Sequence, residues 1–195
     1  GCYACRILVP GMSEIYPVDD LEWENNSNGA VVRPAVVNLA ELDDDQCGQL
    51  LDILNELNIA DEKPVAALIG LAPDAGSPWA DLRVGELKAM LALAVGDTGA
   101  IREGCEWVRQ FEQLDAGRRR VYACIATLLD MEDPNIYEEA LLSLFGEQTL
   151  DLATDLIDGV VRFFGLPSPG LDLAGCELHQ RLLGEYAKVR AAMVK

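Results

Sequence analysis

The helical signal of this sequence is clearest in SPWADLRVGELKAMLALAVGD, which runs from Ser77 to Asp97. Ser77 followed by Pro78 is typical of a helix start, because serine caps the first turn and proline fits the first helical position. Apolar residues then continue to Val95, and Gly96 stands where a helix stops. The stretch therefore predicts one helix from Pro78 to about Val95.

Small residues on this helix suggest how it packs. Gly85, Ala89 and Ala92 share one face and would let a neighbouring helix approach closely. The chain also matches itself at an offset of 34 residues, the tetratricopeptide period. The matched positions are Ala89, Leu91 and Ala92 with Ala123, Ile125 and Ala126. We predict antiparallel, tetratricopeptide-like helical pairs, with unrelated amphipathic pairs as the alternative.

Upstream, Asp43 and Gln46 predict a capping box, in which each side chain accepts a hydrogen bond from the other residue's backbone. The apolar residues that follow have helical spacing and are Leu50, Ile53, Leu54 and Leu57. A short helix is predicted at residues 64–71. Residues 31–39 are ambiguous, since their β-branched side chains favour a strand. We expect Pro34 only in the first turn of a helix or at a sheet edge.

Further capped helical patterns follow downstream. Asp97 or Thr98 begins a helix that continues to Gly117, and Asp133-Pro134 begins another that closes at Gly146. Similar patterns cover residues 121–129, 156–164 and 178–193. The fold class is therefore predicted to be mainly α, with about eight helices in antiparallel pairs.

The N-terminal residues have a different pattern. Residues 1–9 alternate and end at Pro10-Gly11, which predicts a β-strand. A lone strand is not stable, and the chain begins at Gly1 rather than methionine. We expect a piece of a longer protein, with residues 1–40 as the end of a core plus a linker. Residues 41–195 are then the helical, tetratricopeptide-like domain.

Charge and composition exclude several classes of protein. The chain has 15 Lys and Arg against 33 Asp and Glu, a net charge of −18, which repels nucleic-acid phosphates. Its apolar runs are too short to span a membrane. The six cysteines lie in apolar stretches, as expected for buried thiols of a cytoplasmic protein rather than disulfides or metal ligands. His179 has no second histidine with which to form a metal site.

No catalytic, cofactor-binding or metal-ligating residue is predicted, because phosphate loops, nucleophile motifs and metal spacings are absent. The one basic cluster is Arg118-Arg119-Arg120. At a helix start it opposes the helix dipole, which argues for a carboxylate partner within or outside the chain, with a solvated turn as the alternative. Together with Trp79 and Trp107, these arginines are the predicted interface residues, since tryptophan and arginine dominate binding hot spots, with buried packing as the alternative for both tryptophans.

Three stretches resemble the YcaO family, specifically its bacterial, non-azoline subgroup. They are YACRILVPGMSEIYP (Tyr3–Pro17), NNSNG (Asn25–Gly29) and LRVGELKAMLALAVGD (Leu82–Asp97). The first is similar to the end of the family's catalytic core, and the subgroup carries a tetratricopeptide-like helical extension. The resemblance implies ATP- and Mg²⁺-dependent activation of backbone amides, in a subgroup associated with methylthiolation of a small-subunit ribosomal protein.

The resemblance does not place the reaction in this chain. The family's nucleotide and magnesium ligands are glutamates, an arginine and a glutamine upstream, and no position here matches them. The proline-rich terminus of azoline-forming members is also absent. We therefore expect a non-catalytic region that binds protein, either as a homodimer or with the methylthiotransferase or ribosomal protein. The alternative is a free-standing acidic protein that acts as an inhibitor or nucleic-acid mimic.

Overall fold

We describe the protein from a computed structural model. The described residues are 29–166 apart from 71, 72, 74 and 75, together with positions 181, 184 and 188. The predicted N-terminal strand lies outside them. His179 and most of the predicted terminal helix also lie outside them. Within that helix, Arg181, Gly184 and Lys188 are described and are helical.

The described part of the chain is helical and contains no strand, which confirms the mainly-α prediction. The α-helices are α1 (Gly29–Val37), α2 (Asp44–Glu56), α3 (Val65–Ile69), α4 (Pro78–Asp81), α5 (Val84–Val95), α6 (Thr98–Gln110), α7 (Ala116–Leu129), α8 (Glu138–Phe145) and α9 (Glu147–Ile157). Two short 3-10 helices cover Leu39–Glu41 and Pro134–Tyr137.

Helix α1 occupies the stretch that the sequence leaves ambiguous. Val32 and Val36 are four residues apart and fully buried, and α1 packs against α2 and α3. Pro34 lies inside the helix with its ring exposed, so the expectation that it needs a first turn or a sheet edge is wrong. Burial of the two valines outweighs the hydrogen bond that Pro34 cannot donate.

The capping box before α2 is present as predicted. The Gln46 backbone N–H donates to Asp43 Oδ1 at 2.8 Å, and the Asp43 N–H donates to Gln46 Oε1 at 3.0 Å. Leu50 and Leu54 on the predicted apolar face are buried. The local signal therefore gives the correct start and the correct inward face of this helix.

The helix predicted from Pro78 to Val95 is instead two helices, α4 and α5, with a break at Leu82 and Arg83. The Val65 N–H donates to the Leu82 carbonyl, and the Val84 N–H donates to the Lys63 carbonyl, each at 3.0 Å. This pairing with the segment before α3 occupies backbone groups that a continuous helix would use. Beyond the break, α5 ends as predicted, because Gly96 adopts a left-handed φ of 76°.

The small residues of α5 allow close packing against α6, as predicted. A Cβ added at Gly104 would lie 2.6 Å from the Ala89 Cβ, and one added at Gly85 would lie 2.5 Å from the Trp107 ring. Helix α5 also packs against α2, and α6 packs against α7. Whether these helices form tetratricopeptide repeats stays a prediction.

The predicted bounds of the later helices need correction. Asp97 caps α6, which ends at Gln110 rather than Gly117, and the segment opened by Asp133 begins with a 3-10 turn. Helix α9 ends at Ile157, so the apolar residues after it are not helical. Val160 is 72% exposed. Phe163 lies in an irregular segment, has a φ of 50° and packs its side chain into the core. Phe163 is therefore apolar because it contacts the core and not because it belongs to a helix.

One apolar core connects the described helices. It extends from Val32 in α1 to Phe163 after α9 and includes residues from every α-helix between them. Helix α1 therefore belongs to the same packed body as α2 to α9. The predicted domain boundary at residues 40 and 41 remains a prediction.

Candidate interaction site

Arg118 at the start of α7 finds its carboxylate inside the fold. Its Nε donates to Glu86 Oε1 at 2.9 Å and its Nη2 donates to Glu86 Oε2 at 2.5 Å. Glu86 is completely buried in the first turn of α5. This two-pronged contact confirms a carboxylate partner for Arg118, and that partner lies within the chain.

The pair is held in an apolar environment. Burial raises the pKa of the Glu86 carboxyl, and the Arg118 guanidinium opposes that rise. One turn further along α7, Tyr122 is fully buried, its hydroxyl has no hydrogen-bond partner, and burial raises its pKa well above the ordinary value. Neither residue is predicted from the sequence, although a single acid within the mainly apolar run 84–95 is a signal that points to Glu86.

The other two arginines of the cluster have different surroundings. Arg119 is half-buried, and its Nε is buried without a hydrogen-bond partner. Arg120 is exposed, and its Nη2 donates to the Leu144 carbonyl at 2.6 Å, in the last turn of α8. The three consecutive arginines therefore lie in three different environments.

The two tryptophans also differ. Trp79 lies in the core with 6% of its surface exposed. Trp107 is half-buried over Gly85 and stacks on Phe111, with 4.9 Å between ring centroids. The Arg83 guanidinium lies 6.0 Å from the Phe111 ring centroid. An interface role for Trp79, Trp107 and the arginines remains a prediction.

A cleft opens where the C-terminal end of α7, the 3-10 turn with the start of α8, and α9 meet. We call it the acidic cleft. Its volume is about 370 Å³. Three exposed carboxylates line it, those of Glu138, Asp151 and Asp158. The apolar part of the lining consists of Leu128, Leu129, Pro134, Leu141, Leu150 and Ile157. Asn135 and Thr154 complete the lining.

Two other hollows are also rich in carboxylates. One of about 140 Å³ beside Trp107 is lined by Asp61, Glu103 and Lys88, with a salt bridge of 2.9 Å between Lys88 Nζ and Asp61 Oδ1. A shallow one over residues 135–140 carries Glu138 and Glu139. In all three of these cavities acidic side chains outnumber basic ones.

The described residues contain no group of three or more His, Cys, Asp or Glu side chains arranged to hold a metal ion. Cys47, Cys105 and Cys124 are buried free thiols, as predicted for these positions. Burial raises the pKa of the Cys105 thiol to about 12 and that of Cys124 to about 11. None of the helices in the described ranges combines the length and apolar character needed to cross a membrane.

Comparison with known proteins gives one family match and two relatives. Residues 29–195 match the family described as YcaO cyclodehydratase C-terminal domain. The chain is 37% identical over 201 residues to the Escherichia coli K12 protein named ribosomal protein S12 methylthiotransferase accessory factor YcaO. It is 32% identical over 200 residues to an uncharacterized protein of Haemophilus influenzae. These alignments cover 98% and 97% of this chain but 34% of each relative, so the chain spans about a third of their length.

Proposed function

This chain belongs to the family of YcaO cyclodehydratase C-terminal domains, and on that premise we propose that it is a non-catalytic module for protein interaction and dimerisation. It serves a YcaO-type, ATP-dependent amide-activating protein that assists methylthiolation of a ribosomal protein. The name of the Escherichia coli relative supports the accessory role. The helices pair in tetratricopeptide-like fashion and present their outer faces to the partner.

The observation that carries the non-catalytic assignment is the charge of the cavities. Each of the three cavities described above has more carboxylates than cations. Arg118, which could otherwise hold a phosphate, is already bound to Glu86. ATP and Mg²⁺ are therefore proposed to bind the part of the YcaO protein that this chain does not cover.

Calorimetry tests the absence of a nucleotide site. Mg²⁺–ATP is titrated into the 195-residue chain, with a full-length YcaO protein as the positive control. We expect no saturable heat and no phosphate release from the chain, because no position in it matches the glutamates, arginine and glutamine that hold the nucleotide and magnesium in the family. Saturable binding, or hydrolysis above the rate of buffer alone, would show that the chain carries a nucleotide site and is not a simple interaction module.

Sedimentation equilibrium tests dimerisation separately. The expected mass is about 42 kDa, twice the 21.2 kDa of one chain. A mass of one chain at all concentrations up to about 100 μM, where even weak complexes form, contradicts the dimer. It leaves the calorimetric test of the non-catalytic role unaffected.

A further inference from the structure

The acidic cleft lies in a part of the chain that has no basic residue of its own. Between Arg120 and Arg162 the sequence has nine Asp and Glu residues and no Lys, Arg or His. Salt bridges in the described part neutralise five acids, of which Asp130, paired with Arg102 of α6, lies in this stretch. The stretch that forms most of the cleft therefore cannot neutralise itself.

The three carboxylates of the cleft are left without partners among the described residues. Glu138, Asp151 and Asp158 are exposed, and no side-chain hydrogen bond or salt bridge reaches them from that part of the chain. Asp133 nearby differs, because it caps the 3-10 turn by accepting from the Asn135 N–H at 3.1 Å. Within the described part of the chain, no cation therefore neutralises the three cleft carboxylates.

Apolar surface accompanies this negative charge. Leu128 and Leu141 line the cleft from the core side, and Leu150 and Ile157 are only partly covered. Next to the cleft, Ile136 is 72% exposed in the 3-10 turn. An apolar lining beside unpaired carboxylates is complementary to a segment that carries aliphatic side chains and lysine or arginine.

We propose that the acidic cleft binds a basic, amphipathic segment of a partner protein. The proposal rests on the proposed function as an interaction module and adds the chemistry of the partner. Aliphatic side chains of the segment enter between α7, α8 and α9, and its cations pair with Glu138, Asp151 and Asp158. The volume of about 370 Å³ is at the lower end of known ligand sites, so the cleft takes a few side chains of a segment. Nucleic acids and anionic membranes are repelled by the same carboxylates.

The test measures fluorescence anisotropy with the labelled peptide KLLKKLLKKLLK as the probe. The cleft variant is Glu138→Gln/Asp151→Asn/Asp158→Asn. The matched control is Asp52→Asn/Glu56→Gln/Glu62→Gln, which removes the same charge from other exposed positions. We expect the cleft variant to bind about tenfold more weakly than wild type and the control to stay within about twofold, since three ion pairs are lost only in the former.

Two further measurements keep the result specific. Thr154→Lys adds a cation at an exposed position of the cleft and should also weaken binding, because the added ammonium competes with the peptide for the cleft carboxylates. A peptide with serine in place of leucine keeps its charge and should lose binding, because the apolar contacts are gone. Circular dichroism confirms that each variant is folded.

Three results would overturn the proposal. They are no binding to wild type, equal weakening in the cleft variant and its control, or a loss of dimer mass in the cleft variant, which would assign the cleft to a second copy of the chain. Each leaves the calorimetric result unchanged. Nucleotide binding by the chain, in contrast, contradicts the proposed function whatever the peptide does.

Discussion

Glu86 shows how one residue departs from the pattern around it. The residues near it in α5 are apolar and buried, and Glu86 is buried with them. Its carboxylate is tolerated there because Arg118 donates two hydrogen bonds to it from 32 positions along the chain. The pair connects the first turns of α5 and α7, so it fixes how these helices are placed.

Removing the arginine should destabilise the protein strongly. We expect Arg118→Met to lower the free energy of unfolding by about 3–5 kcal/mol, because a buried carboxylate loses its partner. Adding Glu86→Leu should restore most of that loss. Arg109→Met, which breaks an exposed pair with Glu106, should cost less than about 1 kcal/mol. Urea denaturation measures all three, and equal costs for Arg118→Met and Arg109→Met would contradict this view of the pair.

The cost of Arg118→Met should depend on pH. The folded pKa of Glu86 is already raised, and loss of the guanidinium raises it further. A carboxyl whose pKa is higher in the folded state binds more protons when folded, so its stabilisation is complete below the unfolded pKa and is lost as pH rises. The deficit of the variant should therefore shrink between about pH 7 and about pH 5. If the urea midpoints of wild type and Arg118→Met differ by the same amount at both pH values, Glu86 is not a buried, ionised carboxylate.

At the scale of elements, α5 and α6 come close together at a contact between two small residues, Ala89 and Gly104. Ala89 faces Gly104 so closely that a methyl group on the glycine would lie 2.6 Å from the Ala89 Cβ. Contacts of this kind involve backbone and Cβ atoms, which cannot rotate away. The distance between the two helices is therefore limited by residue size at this position.

Gly104→Ala should separate or strain these helices and lower the free energy of unfolding by about 1–3 kcal/mol. Gly48→Ala in α2 is the matched control, because its added Cβ meets Val95 at an ordinary 3.9 Å. That change should stabilise the helix by about 0.5–1 kcal/mol. Thermal and urea denaturation give the comparison, and equal effects of the two Gly→Ala changes would refute close packing as the cause.

At the scale of the whole molecule, Arg162 connects regions far apart in sequence. From the segment after α9 it donates to the Leu42 carbonyl at 3.3 Å and to the Ala94 carbonyl at 2.8 Å, and it pairs with the Asp44 carboxylate. Leu42 lies just before α2, Asp44 is the first residue of α2, and Ala94 is near the end of α5. One side chain therefore connects the segment after α9 to the start of α2 and to the end of α5.

We expect Arg162→Met to reduce the free energy of unfolding by about 1.5–3 kcal/mol, as for other hydrogen bonds to charged groups. Arg162→Lys should restore only part of this, because one ammonium cannot reproduce the forked geometry of a guanidinium. Denaturation in urea quantifies both variants. If the lysine variant is as stable as wild type, the positive charge alone explains the stabilisation, and the three hydrogen-bond acceptors of Arg162 do not contribute to it.

Local sequence signals are sufficient for the class of the fold and for many helix ends. The capping box of Asp43 with Gln46, the stop at Gly96 and the cap at Asp97 act on residues within a few positions. Such short-range signals can be found in the linear chain. The arginine cluster likewise predicts a carboxylate partner, because its position at a helix start is itself a local property.

The remaining features depend on residues far apart in sequence. Backbone pairing of Pro64 with Arg83 divides a predicted helix, and burial of Val32 and Val36 makes a helix around Pro34. Likewise, Glu86 is identified as the partner of Arg118 only by folding, and the acidic cleft requires three elements to meet. In each case the free energy of tertiary contacts exceeds the local propensities, which are about 1 kcal/mol or less for most residues and about 3 kcal/mol for a proline inside a helix. Only the packed chain brings those contacts together.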